Sequence, residues 1–78
     1  EVHAAFVRAF PADMIATGHG DVGKLFLDYA PTYGGWMVKE YVPGDNGGTG
    51  EHNTYGALRR SGREMLAFLT GVTVGRQL

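Results

Sequence analysis

Three glycines and a lysine carry the spacing of a phosphate-binding turn. Gly18, Gly20 and Gly23 match the G-x-G-x-x-G pattern of dinucleotide-binding turns, and Glu40 lies where an acid that binds the ribose is expected. In such turns the backbone amides and the N-terminus of the next helix, predicted here over 21–29, hold the pyrophosphate. Because about one residue in six is glycine, the pattern arises by chance in about one such chain in three. The match alone does not establish a dinucleotide site.

The same segment nearly matches a P-loop, which ends in the pair Gly23-Lys24. Leu25 stands where a Ser or Thr would hold magnesium, and this argues against ATP hydrolysis. A weaker hypothesis is that Gly18, Gly20, Gly23 and Lys24 bind a phosphate or carboxylate through backbone amides and the lysine ammonium. The alternative is a glycine turn that only lets a helix begin. No cofactor is predicted.

The three histidines show no spacing that is typical of metal ligands. His19 lies two residues from Asp21, and His52 follows Glu51, so a carboxylate could orient either ring. Acid–base catalysis would also need a nucleophile such as Ser61 brought close by folding. The sequence therefore predicts neither a metal site nor catalytic residues.

Arginines form the only basic cluster in the chain. In a helix, Arg59 and Arg63 would share a face and could grip a phosphate or carboxylate, whereas Arg60 and Glu64 would form an i, i+4 pair. Nucleic-acid binders usually carry a strong basic excess. The formal charge of −1 argues against nucleic acid, so weak nucleic-acid binding through Arg59–Arg63 is the third hypothesis, and an acidic protein surface is favoured over it.

The middle of the chain combines aromatic residues with many glycines. Protein interfaces concentrate large aromatic side chains with a polar tip, and glycine lets a backbone approach a partner closely. The alternative is that Trp36 lies in the core and the tyrosines cover it. The candidate interface residues are Tyr33, Trp36, Tyr41, Tyr55, Arg59 and Arg63.

Apolar spacing predicts the elements that must position these residues. A helix is predicted over 1–10 and ends before Pro11, and a strand is predicted from Trp36 to Val42. Residues 44–50 are predicted as a long loop, after which 52–58 either returns as a second strand, which is favoured, or opens the final helix. Ser61 and Glu64 match a capping box that opens a final helix, with Gly71 available to end it. The predicted fold is α+β, with two or three short helices packed on a small antiparallel hairpin.

Composition narrows the classes of function. The chain has 78 residues, 13 glycines and no cysteine, which excludes disulfides, thiolate catalysis and cysteine zinc sites. No apolar run approaches the roughly 18 residues of a membrane span. Residues 1–51 carry three basic and seven acidic residues, whereas 52–78 carry four and one. Such a division of charge can steer a partner to one end.

These observations favour a non-catalytic small subunit or protein-interaction domain of a larger assembly. A chain this short buries little surface, and it has no disulfide to offset the entropy of its glycines. We therefore expect 1–78 to be one small domain, or a fragment of a larger assembly, that gains stability from other protein chains in a homo- or hetero-oligomer. The sequence does not indicate a cellular compartment.

Overall fold

The computed structural model describes residues 1–77 and has an α+β architecture. In chain order, its helices and strands are α1 (Val2–Ala9), β1 (Leu25–Ala30), β2 (Gly35–Pro43), β3 (Thr49–His52) and α2 (Gly62–Gln77). The strands form one antiparallel sheet in the order β1-β2-β3. The predicted α+β fold class is confirmed. The structure has two α-helices, and its sheet has three strands where the predicted hairpin has two. No helix in the described part of the chain is long and apolar enough to cross a bilayer.

Helix α1 forms where its apolar spacing predicts it. Val2, Ala5, Phe6 and Ala9 are buried along one face, as expected for residues that recur at helical spacing. The helix ends because Phe10, which precedes Pro11, has extended backbone angles.

Helix α2 begins at the predicted capping box and continues past its predicted end. The Ser61 hydroxyl accepts from the Glu64 N–H at 3.1 Å, and the Glu64 carboxylate accepts from the Ser61 N–H at 2.8 Å. The prediction that Gly71 ends the helix is wrong. Val72 packs against the core and Arg76 donates to the Ala9 carbonyl. These contacts outweigh the cost of about 1 kcal/mol for glycine inside a helix.

The helix predicted over 21–29 is absent, and strand β1 takes its place. Gly23 has a φ of 88°, and both Gly23 and Lys24 face Tyr41 across the ladder, which makes a β-bulge at the start of the strand. The apolar spacing that predicts a helix also fits a strand with both faces covered. Pairing with β2 over six residue pairs decides between the two.

The predicted strand at 36–42 is confirmed, but its hairpin is tighter than expected. The Gly44 N–H donates to the Gly48 carbonyl at 2.8 Å and closes a loop of residues 45–47. Gly47 has a φ of 82°, which a three-residue hairpin loop requires at its last position. The return strand is therefore Thr49–His52, and its prediction at 52–58 is wrong.

Both helices pack on the same face of the sheet, which we call the helix face. Its core residues on the strands include Leu25 and Val38, which belong to the same apolar cluster as buried Met65 and Leu69 of α2. The opposite face, which we call the outer face, is covered by no α-helix of residues 1–77. Residues that lie directly opposite each other on neighbouring strands have their side chains on the same face of the sheet. The outer face therefore carries Phe26, Asp28, Met37, Lys39, Tyr41 and Glu51.

Candidate functional site

The glycine turn at 18–24 supports the sheet. The Lys24 ammonium donates to the Asp13 carbonyl, and the Lys24 N–H donates to the Asp21 carbonyl at 3.1 Å. The Asp21 carboxylate accepts from the Thr17 N–H at 3.2 Å. Because strand β1 follows the turn, the helix N-terminus expected directly after it is absent from the described chain. Three observations thus argue against a phosphate cradle: the helix N-terminus is absent, the lysine is already hydrogen-bonded, and a carboxylate lies within the turn.

His19 of this turn lies against the outer face. Its Nδ1 is 3.3 Å from the Tyr41 hydroxyl, and the two rings meet edge to face. Tyr41 also stacks on Phe26 at 4.1 Å between ring centroids. Tyr41 is buried although no helix covers it. The turn therefore acts as a cover for this part of the sheet.

An ion-paired network crosses all three strands on the outer face. The Lys39 ammonium lies 3.5 Å from the Asp28 carboxylate and 3.1 Å from that of Glu51. Arg59 reaches over β2 to donate to the Asp28 carboxylate at 2.5 Å and to the Gly35 carbonyl at 3.1 Å. Burial alone would raise the pKa of Asp28, but the Arg59 hydrogen bond and the Lys39 charge together hold it below its usual value. Two cations and two carboxylates neutralise one another here.

The arginine cluster does not form the predicted helical face. Arg59 precedes α2 and serves the network, so it shares no helix face with Arg63. Arg63 is exposed in the first turn of α2. The guanidinium of Arg60 lies 4.0 Å above the Phe68 ring. Instead of pairing with Glu64, Arg60 is fixed by a cation–π contact. In the part of the chain that the structure describes, neither Arg60 nor Arg63 forms an ion pair.

The four aromatic residues of the predicted interface occupy different places. Tyr33 is 78% exposed in the turn between β1 and β2, whereas Tyr41 is buried on the outer face. Tyr55 is half-buried between Phe10 and Phe68. Trp36 is half-buried on the helix face, where three aromatic rings meet: those of Trp36, His3 and Tyr29. Tyr33 alone among the four is largely free for a partner.

Exposed apolar side chains gather at the end of the sheet where Tyr33 lies. Tyr29 is 57% exposed and Leu58 is 84% exposed. Two backbone hydrogen bonds, of 2.7 and 2.8 Å, join Trp36 to Arg60 and bring the segment of Leu58 beside the turn of Tyr33. We call Tyr29, Tyr33, Leu58 and Arg60 the sheet-end surface.

Gly35 makes this approach of the two segments possible. Its φ is 117°, and a Cβ there would lie 2.5 Å from the Arg60 carbonyl oxygen. Only glycine adopts this backbone angle without strain and leaves room for the neighbouring segment.

A cavity of about 400 Å³ adjoins this surface. Its lining combines an aromatic ring, an exposed leucine and two guanidinium groups with a single carboxylate. The lining residues are Tyr55, Gly56, Ala57, Leu58, Arg59, Arg60 and Glu64. Because Arg59 is neutralised by Asp28, the charge that this cavity offers comes mainly from Arg60 and Glu64. Both Glu64 and Ser61 are held in the capping box, where the Ser61 N–H lowers the pKa of Glu64.

Sequence reasoning does not single out Tyr29 or Leu58. A strand at 25–30 exposes Tyr29 near the sheet end, but the apolar spacing of this segment predicts a helix. Nothing local marks Leu58 as exposed, since leucine is a common core residue. The histidines are not assembled into a catalytic group: His3 and His19 contact different aromatic rings, and His52 ends β3. Among residues 1–77, no three His, Asp or Glu side chains are grouped as metal ligands.

No protein-family model, no curated protein and no solved structure matches the chain. Its function must therefore be inferred from the geometry of the described residues.

Proposed function

We propose that the chain is a non-catalytic protein-interaction domain, a small subunit of a larger assembly, that binds an acidic segment of a partner protein through the sheet-end surface. The proposal rests on where the most exposed apolar side chains lie relative to the arginines. Among residues 1–77, Tyr33 and Leu58 are the two most exposed large apolar residues. Leu58 lines a cavity together with two arginines, and one of them, Arg59, lies against Gly34 in the turn of Tyr33, where a Cβ on Gly34 would be 3.6 Å from the Arg59 Cβ.

Apolar exposure supports a protein partner. Tyr29, Tyr33 and Leu58 leave much of their apolar surface in water at one end of the sheet. Tyrosine and arginine are enriched among the residues that dominate binding energy in protein interfaces. Tyr29 is also held in place by Trp36, at 4.6 Å between ring centroids. A side chain fixed before binding loses less entropy when the partner arrives.

Charge supports an acidic partner. Arg60 is fixed over Phe68 without a carboxylate partner, and Arg63 is exposed next to the cavity residue Glu64 in the first turn of α2. With Arg59 neutralised by Asp28, the charges around the cavity are those of Arg60, Arg63 and Glu64, an excess of one positive charge. A partner carboxylate would balance this excess, and the attraction would also speed association.

A peptide selection tests the proposal. Panning a random-peptide phage library against the chain is expected to enrich peptides that combine Asp or Glu with a large apolar residue. The best peptide is then synthesised, and its affinity is measured by calorimetry. Leu58→Glu should weaken binding by at least about tenfold, because it removes an apolar contact and adds a charge of the wrong sign.

Val7→Glu is the matched control. Val7 is 63% exposed on α1 and lies outside the sheet-end surface, so its variant should keep the wild-type affinity. The proposal fails if no peptide is enriched, if the enriched peptides lack acidic residues, or if both variants weaken binding equally. Binding of a short oligonucleotide in place of peptides would favour the nucleic-acid hypothesis.

A further inference from the structure

Strand β1 presents unpaired backbone groups along its outer edge. The Tyr41 N–H donates to the Lys24 carbonyl at 3.0 Å, so the backbone groups of Tyr41 face β1. Along an antiparallel strand, the N–H and C=O groups of successive residues point alternately to one side and to the other. The pairing register therefore directs the N–H and C=O groups of Leu27 and Tyr29 away from β2. Within residues 1–77, the N–H and C=O of these two residues have no backbone partner.

The chain itself begins a fourth strand on this edge and then leaves it. Ile15 pairs with Leu25 in parallel, and the Ala16 N–H donates to the Leu25 carbonyl at 2.8 Å. At Thr17 the chain turns away, held by the Asp21 carboxylate. The contact at Leu25 shows that this edge accepts an added strand, and the turn at Thr17 leaves the next positions open.

Proline and a bulge, two common protections of an edge strand, do not block these positions. Natural sheets protect open edges with charged side chains, especially lysine, with proline or with a bulge. The charge on this part of β1 is that of Asp28, which is paired with Lys39 and Arg59 of the same chain. Here the bulge lies at Gly23 and Pro31 follows the strand, so neither blocks Leu27 or Tyr29. The Tyr29 side chain stands 57% exposed beside the open groups.

We infer that the partner of the sheet-end surface binds as an extended segment that pairs with Leu27 and Tyr29 and places an apolar side chain against Tyr29. The inference rests on the proposed function, since Tyr29 belongs to both the edge and that surface. It adds the mode of binding: backbone hydrogen bonds supply affinity, and alternate side chains supply specificity. Arg60 pairs with Trp36 on the other side of β2. The segment therefore meets the surface first at Tyr29 and reaches Leu58 past the turn between β1 and β2.

A second copy of the chain fits this edge poorly. In antiparallel self-pairing, the register that uses all four backbone groups pairs Leu27 with Tyr29 and sets Asp28 directly opposite its own copy. Like charges directly opposite each other destabilise a sheet. Each Asp28 already has Arg59 and Lys39 as partners, so a second carboxylate gains little there. A foreign segment avoids this clash.

Backbone chemistry tests the inference without changing a side chain. A chain of this length can be assembled by ligation of synthetic peptides, with an N-methyl group on the amide of Tyr29. The probe is the peptide selected against the wild-type chain. Losing one hydrogen bond should weaken its binding by about tenfold. N-methylation of Glu51 is the matched control, because its amide points outward on the opposite edge, at β3, and it should leave affinity unchanged.

Amide hydrogen exchange supplies the second measurement. The Leu27 and Tyr29 amides should exchange rapidly in the free chain and become protected when the peptide is bound, whereas those of Phe26 and Asp28 should be protected in both states. If N-methyl-Tyr29 binds normally and exchange is unchanged while Leu58→Glu still weakens binding, the edge inference is overturned and the proposed function stands. If no peptide binds, both are overturned. If the protection of these amides increases with the concentration of the chain in the absence of peptide, the edge pairs with a second copy, and the inference of a foreign segment is overturned.

Discussion

The two faces of the sheet bury their residues by different means. On the helix face, Val38 is covered by helices and belongs to the apolar core. On the outer face, Met37 and Tyr41 reach similar burial, at 5% and 6% exposed, with no helix above them. Arg59 and His19, both reaching in from loops, take the place of a helix there.

This difference separates the physical origins of stability in one small sheet. Burial on the helix face depends on apolar area and tight packing, which change little with pH or salt. Burial on the outer face depends on hydrogen bonds and ion pairs, whose strength varies with both. The helix face should therefore hold most of the folding free energy, and the outer face should determine how stability responds to solution conditions.

Removing a core side chain from the helix face should have the largest effect. Leu69 is fully buried in α2, and Leu69→Ala should lower the free energy of unfolding by about 3 kcal/mol through lost burial and a new cavity. Urea denaturation followed by tryptophan fluorescence measures it. Leu58→Ala is the control, since Leu58 is 84% exposed and should change stability by less than about 0.5 kcal/mol. Equal losses in both variants would contradict the assignment of the core.

Removing Arg59 should have an intermediate effect. Arg59→Met keeps the apolar stem but removes hydrogen bonds to Asp28 and Gly35, and we expect a loss of about 2 kcal/mol. Arg63→Met is the matched control at an exposed arginine and should change stability by less than about 0.5 kcal/mol. If the Arg59 variant is as stable as its control, the ion-paired network does not account for the burial of Met37.

The elements that sequence reasoning places correctly are those with local signals. The start of α2 follows from the capping box at Ser61 and Glu64, and α1 follows from apolar spacing that Pro11 interrupts. Strand β1 is missed because Leu25, Phe26 and Tyr29 fit both helical and strand spacing. Only pairing with β2, which is distant in sequence, selects the strand. The end of α2 beyond Gly71 likewise depends on packing against α1.

The candidate surface is predictable only in part. Tyr33 is expected at an interface, and it is exposed, but burial of Tyr41 depends on a loop whose path the sequence does not specify. Arg59 is expected to grip a partner's anion, and in the structure it grips Asp28 of its own chain. Leu58 cannot be distinguished from a core leucine by sequence, because leucine is a common core residue and nothing local in the sequence marks the loop position at which Leu58 is exposed.

The smallest expected effect is a difference between the faces in acid. Burial raises the pKa of Asp28, but the hydrogen bond from Arg59 and the charge of Lys39 outweigh it, so the folded-state pKa lies below the ordinary value of 3.8. The unfolded chain then binds a proton at Asp28 more readily than the folded chain. The stability that this carboxylate contributes is therefore complete above about pH 4 and is lost as the pH falls through the folded-state pKa.

Urea titrations at a series of pH values below about 5 measure this contribution. Asp28→Asn should flatten the decline of the free energy of unfolding on acidification, and Arg59→Met should flatten it in the same way, because the pKa of Asp28 is lowered mainly through Arg59. Leu69→Ala should lower stability at every pH without changing the slope, since no titrating group is involved. Parallel curves for the wild-type chain and Asp28→Asn would show that the outer face, like the helix face, owes its stability to apolar burial.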